Sequence, residues 1–386
     1  MEISGKTILI ISPESWGKNF VSKHHYATYL SKKNKVYFIN AVSKWTPKNL
    51  IQQTINTKII NENLTTISYS NQLPGLDKFP LPIQSLLFKI TARKIQKLIN
   101  QKNLDIVWNF DPVRFWNFKG WKTKIKIYHP VDEHKDHKLE EIISKHAQFI
   151  FSPAQGILDR FKRYNDKCFK IQHGADIESF EKVNPNAKAI SLPGKNQIKA
   201  GLIGNFHANI DYEIINKCAL INPDVDFIFI GPYQSNNLSS IPNLITLKVM
   251  ELSTLSNVFF IGEVQSSELI NYLKCFNINL IMYKERKDNP ILNTHKLMGY
   301  FYSGNVIISN YIVEYANASR DLIILCQSNE EIPVTIQKVK NNLSIENDDS
   351  KKELRTNYAK ANSYLCQIEK IGELIYKHPN ESKSIN

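Results

Sequence analysis

The sequence predicts an α/β chain built from two Rossmann-like domains, and three observations carry that expectation. Short β-branched or aromatic runs alternate with helical stretches, which is the pattern of parallel sheets wrapped by helices. The alternation stops near Ile171 and restarts at Ile198. Between the two series, Val183 to Lys199 carries Pro185, Pro193 and Gly194 without a sustained helical or strand period, so the boundary is placed between His173 and Lys199. At 386 residues the chain exceeds one ordinary core and suits two. The domains are expected at 1–175 and 176–352. A last helical segment, Glu353 to Tyr376 within 353–386, is free to pack back on the first.

In chain order, strands of the first series are expected at Thr7 to Ile11, Val36 to Ile39, Leu64 to Tyr69, Ile106 to Trp108, Ile125 to Tyr128, Phe149 to Phe151 and Phe169 to Ile171. The second series reads Ile198 to Ile203, Val225 to Ile230, Val258 to Ile261, Ile278 to Tyr283, Val306 to Ser309 and Leu322 to Leu325. The opening run is too short for a signal-peptide core and reads as the first strand. No apolar stretch approaches the roughly 20 residues of a membrane span. Ligands of open α/β sheets bind beyond the carboxyl ends of the strands, so two such domains facing each other would hold substrates in the cleft between them.

With 42% hydrophobic and 22% charged residues, a disordered or low-complexity architecture is excluded. The anomaly is charge: 49 Lys+Arg against 36 Asp+Glu leaves +13. That excess points to an anionic partner, whether nucleic acid, an anionic membrane surface or a phosphorylated substrate. Five cysteines, odd in number and without a Cys-x-x-Cys pair, suggest neither a disulfide framework nor a zinc site, and fit a reducing, cytoplasmic compartment.

The segment Tyr283 to Asn310 holds the densest candidate chemistry. A strand ends at Tyr283, a polar loop with Pro290 follows, and a helix is expected to open near Asn293 or Thr294, both good N-caps. His295 and Lys296 then lie on its first turn, and Gly304 ends it. Free N–H groups, the positive end of the helix dipole and a lysine make a diphosphate site; spacing alone slightly favours an ordinary capped helix with a surface lysine.

Lys296-Leu-Met-Gly-Tyr300-Phe-Tyr-Ser-Gly304-Asn-Val-Ile-Ile resembles the Lys-x-x-Glu-Tyr-Leu-Ala-x-Gly-Lys-Pro-Val-Val segment of retaining, nucleotide-sugar-dependent glycosyltransferases of the GT-B fold, family 1 or family 4. Ala200-Gly-Leu-Ile-Gly204-Asn205, the runs ending in Gly231-Pro232 and Gly262, Tyr128-His-Pro-Val-Asp132 and His173-Gly174-Ala-Asp176 resemble further segments of that family, in order and nearly throughout the chain. The resemblance implies a GT-B architecture with an N-terminal acceptor-binding domain and a C-terminal nucleotide-sugar-binding domain. It implies sugar transfer from a nucleoside diphosphate to a hydroxyl of a glycan or lipid-linked acceptor in cell-surface polysaccharide synthesis. The nucleoside-diphosphate sugar is a substrate, and no cofactor is expected. Lys296 would stabilise the departing diphosphate. Gly204, Asn205, Gly262, Val264, Tyr283, Thr294, His295 and Tyr300 would complete the donor site. Two acids depart from the pattern: the family's usual glutamate falls on Gly299 and a second acid on Ile291, although Glu285 and Asp288 lie upstream in the same loop. A non-catalytic protein that keeps the fold and binds glycan or nucleotide is the alternative.

On the acceptor side the loop after the first strand offers Ser15, Trp16 and Gly17, and the fifth strand leads to His129 and Asp132, candidates to orient or deprotonate an acceptor hydroxyl. No metal site is expected. Asp132-Glu-His134-Lys-Asp136-His137 reads as a solvated helix start, and Asp224-Val-Asp226 as the start of a buried strand. Ile83 to Asn103 carries Lys89, Arg93, Lys94, Lys97 and Lys102 and no acid, with Ile83, Leu86, Leu87, Ile90, Ile95, Leu98 and Ile99 at helical spacing. Such a helix can pack on the core or lie on anionic lipid at the inner face of the cytoplasmic membrane. The following Trp108 to Trp121 interleaves aromatics with Arg114 and Lys119, which suits sugar stacking, a membrane interface or core packing; without a nucleic-acid module, nucleic acid is the less economical partner.

Overall fold

The computed structural model describes residues 2–17, 20–132, 137–182, 190–233, 243–266, 268–285 and 293–378. The chain divides into two compact units, Met1–His173 with Tyr364–Asn386, and Gly174–Ser363. The first contains β1 (Thr7–Ile11), α1 (Ser22–Leu30), β2 (Lys35–Ile39), β3 (Ile55–Asn61), β4 (Leu64–Tyr69), α2 (Leu81–Leu98), β5 (Leu104–Asn109), β6 (Thr123–Tyr128), α3 (His137–His146), β7 (Phe149–Ser152), α4 (Gln155–Phe161) and β8 (Cys168–Lys170). The second contains α5 (Ile177–Glu181), β9 (Ile198–Ile203), α6 (Tyr212–Ile221), β10 (Val225–Ile230), α7 (Asn243–Leu252), β11 (Val258–Gly262), α8 (Leu269–Cys275), β12 (Ile278–Ile281), α9 (Lys296–Ser303), β13 (Val306–Asn310), β14 (Ile324–Cys326), α10 (Ile332–Asn341), α11 (Leu343–Glu346) and α12 (Asp349–Ala361). The closing helix α13 (Tyr364–Lys377) belongs to the first unit, where the Tyr364 ring stacks on His25 and meets Tyr26 of α1.

Among the described residues the first sheet runs β3-β4-β2-β1-β5-β6-β7-β8 and the second β11-β10-β9-β12-β13-β14. Every pairing is parallel except β3 with β4. Central strands are covered on both faces, which is why Ile8–Ile11 and Val225–Ile230 are buried without alternation. In the second sheet, strand order reverses between β9 and β12, which makes that gap the topological switch point.

Several expectations are corrected. β3 escapes pattern reading because its side chains are largely exposed and it forms only as an edge hairpin with β4. The single helix expected over Glu353 to Tyr376 is two. The chain breaks at Asn362 and Ser363, where Ala175 N–H donates to the Asn362 carbonyl (2.9 Å). The stretch read as a linker is, in its described part, body of the second unit: Leu192 packs on its core, and the Asn196 backbone and side-chain amides reach Asp226 (both 2.9 Å). The buried face of α2 is Gln84, Phe88, Thr91, Ala92, Ile95 and Gln96, and Ile83 and Leu86 point outward.

The aromatic segment after α2 is core, not a stacking platform. Trp108, Phe110, Phe115, Trp116, Phe118 and Trp121 are all buried. Arg114 inside it is buried too. Its Nε donates to Asp111 (2.5 Å), Nη1 to the Asn40 carbonyl (2.8 Å) and Nη2 to the Ser12 carbonyl. One guanidinium thus ties together the loops that leave β1, β2 and β5, and through them fixes the loop that carries Ser15 to Gly17. Replacing Arg114 by Ala leaves Asp111 buried and two carbonyls without a donor. It should remove roughly 3–5 kcal/mol from the unfolding free energy in urea; a loss below about 1 kcal/mol would contradict the assigned role.

Candidate functional site

In the second unit, three glycines follow or close neighbouring strands: Gly204 after β9, Gly231 after β10 and Gly262 at the end of β11. Hydrogen bonding continues past the strands, from Gly204 N–H to the Ile230 carbonyl (2.9 Å) and from Gly231 N–H to the Gly262 carbonyl (2.8 Å). Gly231 (φ +144°) passes so close that a Cβ would stand 1.9 Å from the Gly204 carbonyl oxygen. A Cβ on Gly204 (φ +152°) would stand 2.4 Å from Lys296 Nζ. The lysine head therefore rests against bare backbone at the end of β9.

Tyr283, just past β12, forms the other side of the switch point, and Lys296 Nζ lies 5.0 Å from its ring centroid. His207 stacks on the same Tyr283 ring at 6.3 Å. Among the described residues no carboxylate pairs with Lys296, so its charge is available to a ligand. Lys296 is the first residue of α9. Neither Asn293 nor Thr294 caps that helix with its side chain; the cap is His295 in helical conformation, and Thr294 contributes its carbonyl to Leu297 N–H (3.2 Å). At the far end, Gly304 is left-handed and its carbonyl is held by buried Arg355 (3.0 Å), which anchors α9.

Gly299 is buried against α8: a Cβ there would lie 3.1 Å from Leu273 Cδ1 and 3.8 Å from the Phe180 ring. Glu285 accepts from Asn329 N–H, and the Asn329 amide donates to Asp211 (2.7 Å) and to the Tyr283 carbonyl (2.8 Å). That network braces the β12 end. Asp288 and Ile291 lie outside the described residues.

In the first unit, the loop Ser15 to Gly17 is braced by α1. His24 Nδ1 accepts from Val21 N–H (3.2 Å), so Nε2 carries the proton and donates to the Ser15 carbonyl (3.1 Å). The Trp16 ring packs edge-on against Phe20, His24 and Phe38, and its backbone N–H donates to Asn40 Oδ1 (2.9 Å). Ser15 and Gly17 are exposed. Lys23 is buried and pairs with Glu14 (2.7 Å). His129 is buried among Trp108, Phe110 and Tyr26, with Nδ1 accepting from the Trp108 indole (3.3 Å). Burial pushes the His24 pKa down to about 4 and that of His129 to about 3, so both imidazoles are neutral near pH 7. Asp132 is exposed.

No protein-family model matches the chain. A curated relative, "Putative teichuronic acid biosynthesis glycosyltransferase TuaH" of Bacillus subtilis (strain 168), is 24% identical over 219 residues, 53% of this chain and 50% of the relative. The chain thus matches about half the length of that relative. Solved structures match almost throughout. Apo OtsA superimposes with a TM-score of 0.71 at 11% identity, over 97% of this chain and 100% of that one. HepE of Anabaena in complex with UDP and glucose gives 0.67 at 12%, over 97% and 100%; sucrose-phosphate synthase from Thermosynechococcus elongatus gives 0.68 at 12%, over 96% and 98%. The fold is that of the GT-B glycosyltransferases. In GT-B terms, the second unit brings Gly204, Tyr283 and Lys296 of the expected donor set to one point, with Asn205 exposed beside them and Thr294 and His295 at the start of α9. Gly262 and Val264 lie at and just past the end of β11, two strands from β9, with Val264 packed on the core. Tyr300 is displaced from the expected role: it is fully buried and its hydroxyl accepts from Ile203 N–H (2.8 Å), so it holds the end of β9. His129 is likewise a buried framework group. His207 was missed, because only the fold brings it to Tyr283. Asp224 and Asp226 pair with Lys340 and Lys199, and residues 133–136 with the His137 side chain lie outside the described set.

Two outcomes follow for stability. Gly204→Ala and Gly231→Ala both force a side chain into a conformation costing roughly 1–3 kcal/mol, but only Gly231→Ala meets backbone rather than a flexible lysine tip. Gly231→Ala should therefore be the more destabilising by about 1–3 kcal/mol in chemical denaturation; equal losses would remove the close strand approach from the account. Unfolded histidines take up protons below their ordinary pKa of 6.5, whereas His24 and His129 stay neutral in the folded chain to about 4 and 3. Their contribution is complete above pH 6.5 and falls as the pH drops towards 4, by up to ~1.4 kcal/mol per pH unit for each. Urea unfolding at pH 7.5 and 5 should show that loss, and His129→Gln should flatten it; an unaltered slope in the variant would contradict the burial argument.

Proposed function

We propose that the chain is a glycosyltransferase that moves a sugar from a nucleoside-diphosphate sugar to a hydroxyl of a glycan or lipid-linked acceptor in cell-surface polysaccharide synthesis. The observation that carries this reading is Lys296 Nζ at the switch point, against the bare backbone of Gly204 and over the Tyr283 ring, without a carboxylate partner among the described residues. A cation there, beside N–H groups at a helix start, stabilises the charge that grows on a departing diphosphate. The protein then needs no covalent step of its own. Gly204 and Asn205 admit the phosphates, Thr294 and His295 flank them at the start of α9, and Gly262 and Val264 border the base. The name of the relative TuaH, and the UDP and glucose bound to HepE, agree with this donor class.

We assign the acceptor to the first unit, through Ser15, Trp16, Gly17 and exposed Asp132. His129, neutral and enclosed, positions that end of the sheet rather than taking a proton. Transfer is retaining and metal-independent in this reading, and the protein works on the inner face of the cytoplasmic membrane. Among the described residues no helix is long and apolar enough to cross a membrane, so contact there would be peripheral.

The apolar packing at Gly299 and the engagement of Glu285 by Asn329 favour a second reading, in which the chain binds nucleotide sugar without turning it over. Thermal-shift screening of nucleotides and nucleotide sugars, followed by turnover assays with lipid-linked acceptors, separates the two. Stabilisation with turnover is expected; stabilisation alone selects the binding protein, and no response to any nucleotide overturns both. Lys296→Ala should lower kcat/KM roughly 10²- to 10³-fold, and an unchanged value would remove it from the site.

A further inference from the structure

A pocket of about 440 Å³ lies in the first unit beside the C-terminal end of α2. Arg93, Lys97, Lys102 and Lys122 line it, together with Gln96 and Trp121. Lys102 precedes β5 and Lys122 precedes β6, so the pocket sits at the amino ends of those strands. That is the opposite end of the sheet from Arg114 and His129. Substrates of open α/β sheets bind at the carboxyl ends, so this pocket is not a part of the proposed acceptor site.

Its cations come from three separate segments and are held together by design of the backbone. Buried Gln96 donates through Nε2 to the carbonyls of Lys102 and Lys122 (both 3.2 Å) and accepts from Lys122 N–H (2.9 Å). Gly120 lets the loop before Lys122 touch α2, since a Cβ there would stand 2.5 Å from the Lys89 carbonyl oxygen. Among the described residues none of the four cations has a carboxylate partner. The nearest acid in sequence, Asp105, is already held by Lys124 Nζ and by Thr7 N–H, both at 2.9 Å. Arg93, Lys97, Lys102 and Lys122 are exposed, and four unpaired charges rimming one volume suit a multiply charged anion. A guanidinium fork with ammonium groups matches a phosphoryl group better than a single carboxylate.

The helix itself points to the source of that phosphoryl group. Ile83, Leu86, Arg93 and Lys97 share the face of α2 turned away from the core, at i, i+3, i+10 and i+14. Ile83 is 41% and Leu86 56% exposed. An apolar patch thus leads along one helix face into a cationic pocket, the arrangement that seats acyl chains beside an anionic headgroup. We propose that this pocket binds the phosphoryl headgroup of an anionic lipid, with Ile83 and Leu86 against the bilayer. The proposal stands independently of the transferase reading.

The test uses the full chain at low ionic strength, with sedimentation against neutral phosphatidylcholine vesicles and against vesicles containing about one third phosphatidylglycerol, and calorimetry with inorganic pyrophosphate. Binding to the anionic vesicles alone is expected. The triple variant Arg93→Gln/Lys97→Gln/Lys122→Gln should weaken it roughly tenfold or more. The charge-matched control Lys58→Gln/Lys338→Gln/Lys370→Gln should leave it within about twofold, all three proteins keeping the same melting temperature. Ile83→Ser/Leu86→Ser should weaken vesicle binding and leave any pyrophosphate binding unchanged. Pyrophosphate binding without vesicle binding overturns the lipid source. Equal loss in the control, or no binding to either probe, overturns the site.

Discussion

A methyl group on Gly231 would collide with the Gly204 carbonyl, and that close approach governs the second unit. It keeps β9 and β10 hydrogen-bonded one residue beyond their strands, the latter to the last residue of β11, so the surface they present is backbone rather than side chain. Lys296 can reach across it only because Gly204 has no Cβ. Everything else in the second unit keeps those two parts in register. Tyr300 holds the Ile203 amide, Asn329 holds the end of β12, and Arg355 holds the C-terminal cap of α9. A cation resting against side-chain-free backbone is what an anionic leaving group needs, and it requires little further side-chain chemistry.

The net positive charge divides along similar lines. Some of the cations never meet solvent as free charges: Lys23, Arg114 and Arg355 are buried, Lys23 on Glu14, Arg114 on buried Asp111 and loop carbonyls, and Arg355 on the carbonyls of Asp321, Gly304 and Glu346. Arg114 shows why an arginine stands in such a place. Its planar head reaches an acid and carbonyls from two other loops at once, which a lysine point charge cannot do. Of the cations that no described carboxylate pairs, the informative ones are Lys296 at the switch point and the four around the α2 pocket.

What could be read from the sequence follows from how local each signal is. The strand-helix alternation, the glycines at strand ends and the placement of Lys296 at a helix start are properties of short segments, and all three could be read. β3 could not, because a solvated edge strand carries no apolar period and is specified by its partner. The aromatic run from Trp108 to Trp121 was ambiguous for the opposite reason. Aromatics suit a core, a sugar and a membrane equally, and only tertiary packing decides among them. The α2 face was misread because Gln84, Thr91 and Gln96 are polar yet buried. Hydrogen bonds from Gln53 to Thr91 and from Gln96 to the Lys122 carbonyl, together with shorter-range ones from Gln84, offset burial in a way no periodicity shows. His207 and the break at Asn362 belong to the same class: both depend on contacts across many residues.

The missing acids have a physical sequel. A carboxylate at position 299 would enter a space bordered by Leu273 and the Phe180 ring, where desolvation opposes charge. The loss at that position is therefore matched by its surroundings and is not an isolated substitution. Glu285, the acid that remains upstream, accepts from the Asn329 amide and contributes to bracing Tyr283. If a donor sugar nucleotide binds here, its diphosphate has a defined counter-charge in Lys296, while its ribose must be gripped by backbone or by side chains other than carboxylates at positions 299 and 285. Recognition would then rest more on the charged diphosphate than on the nucleoside, because a fixed cation contributes more than neutral hydrogen bonds to a solvated sugar.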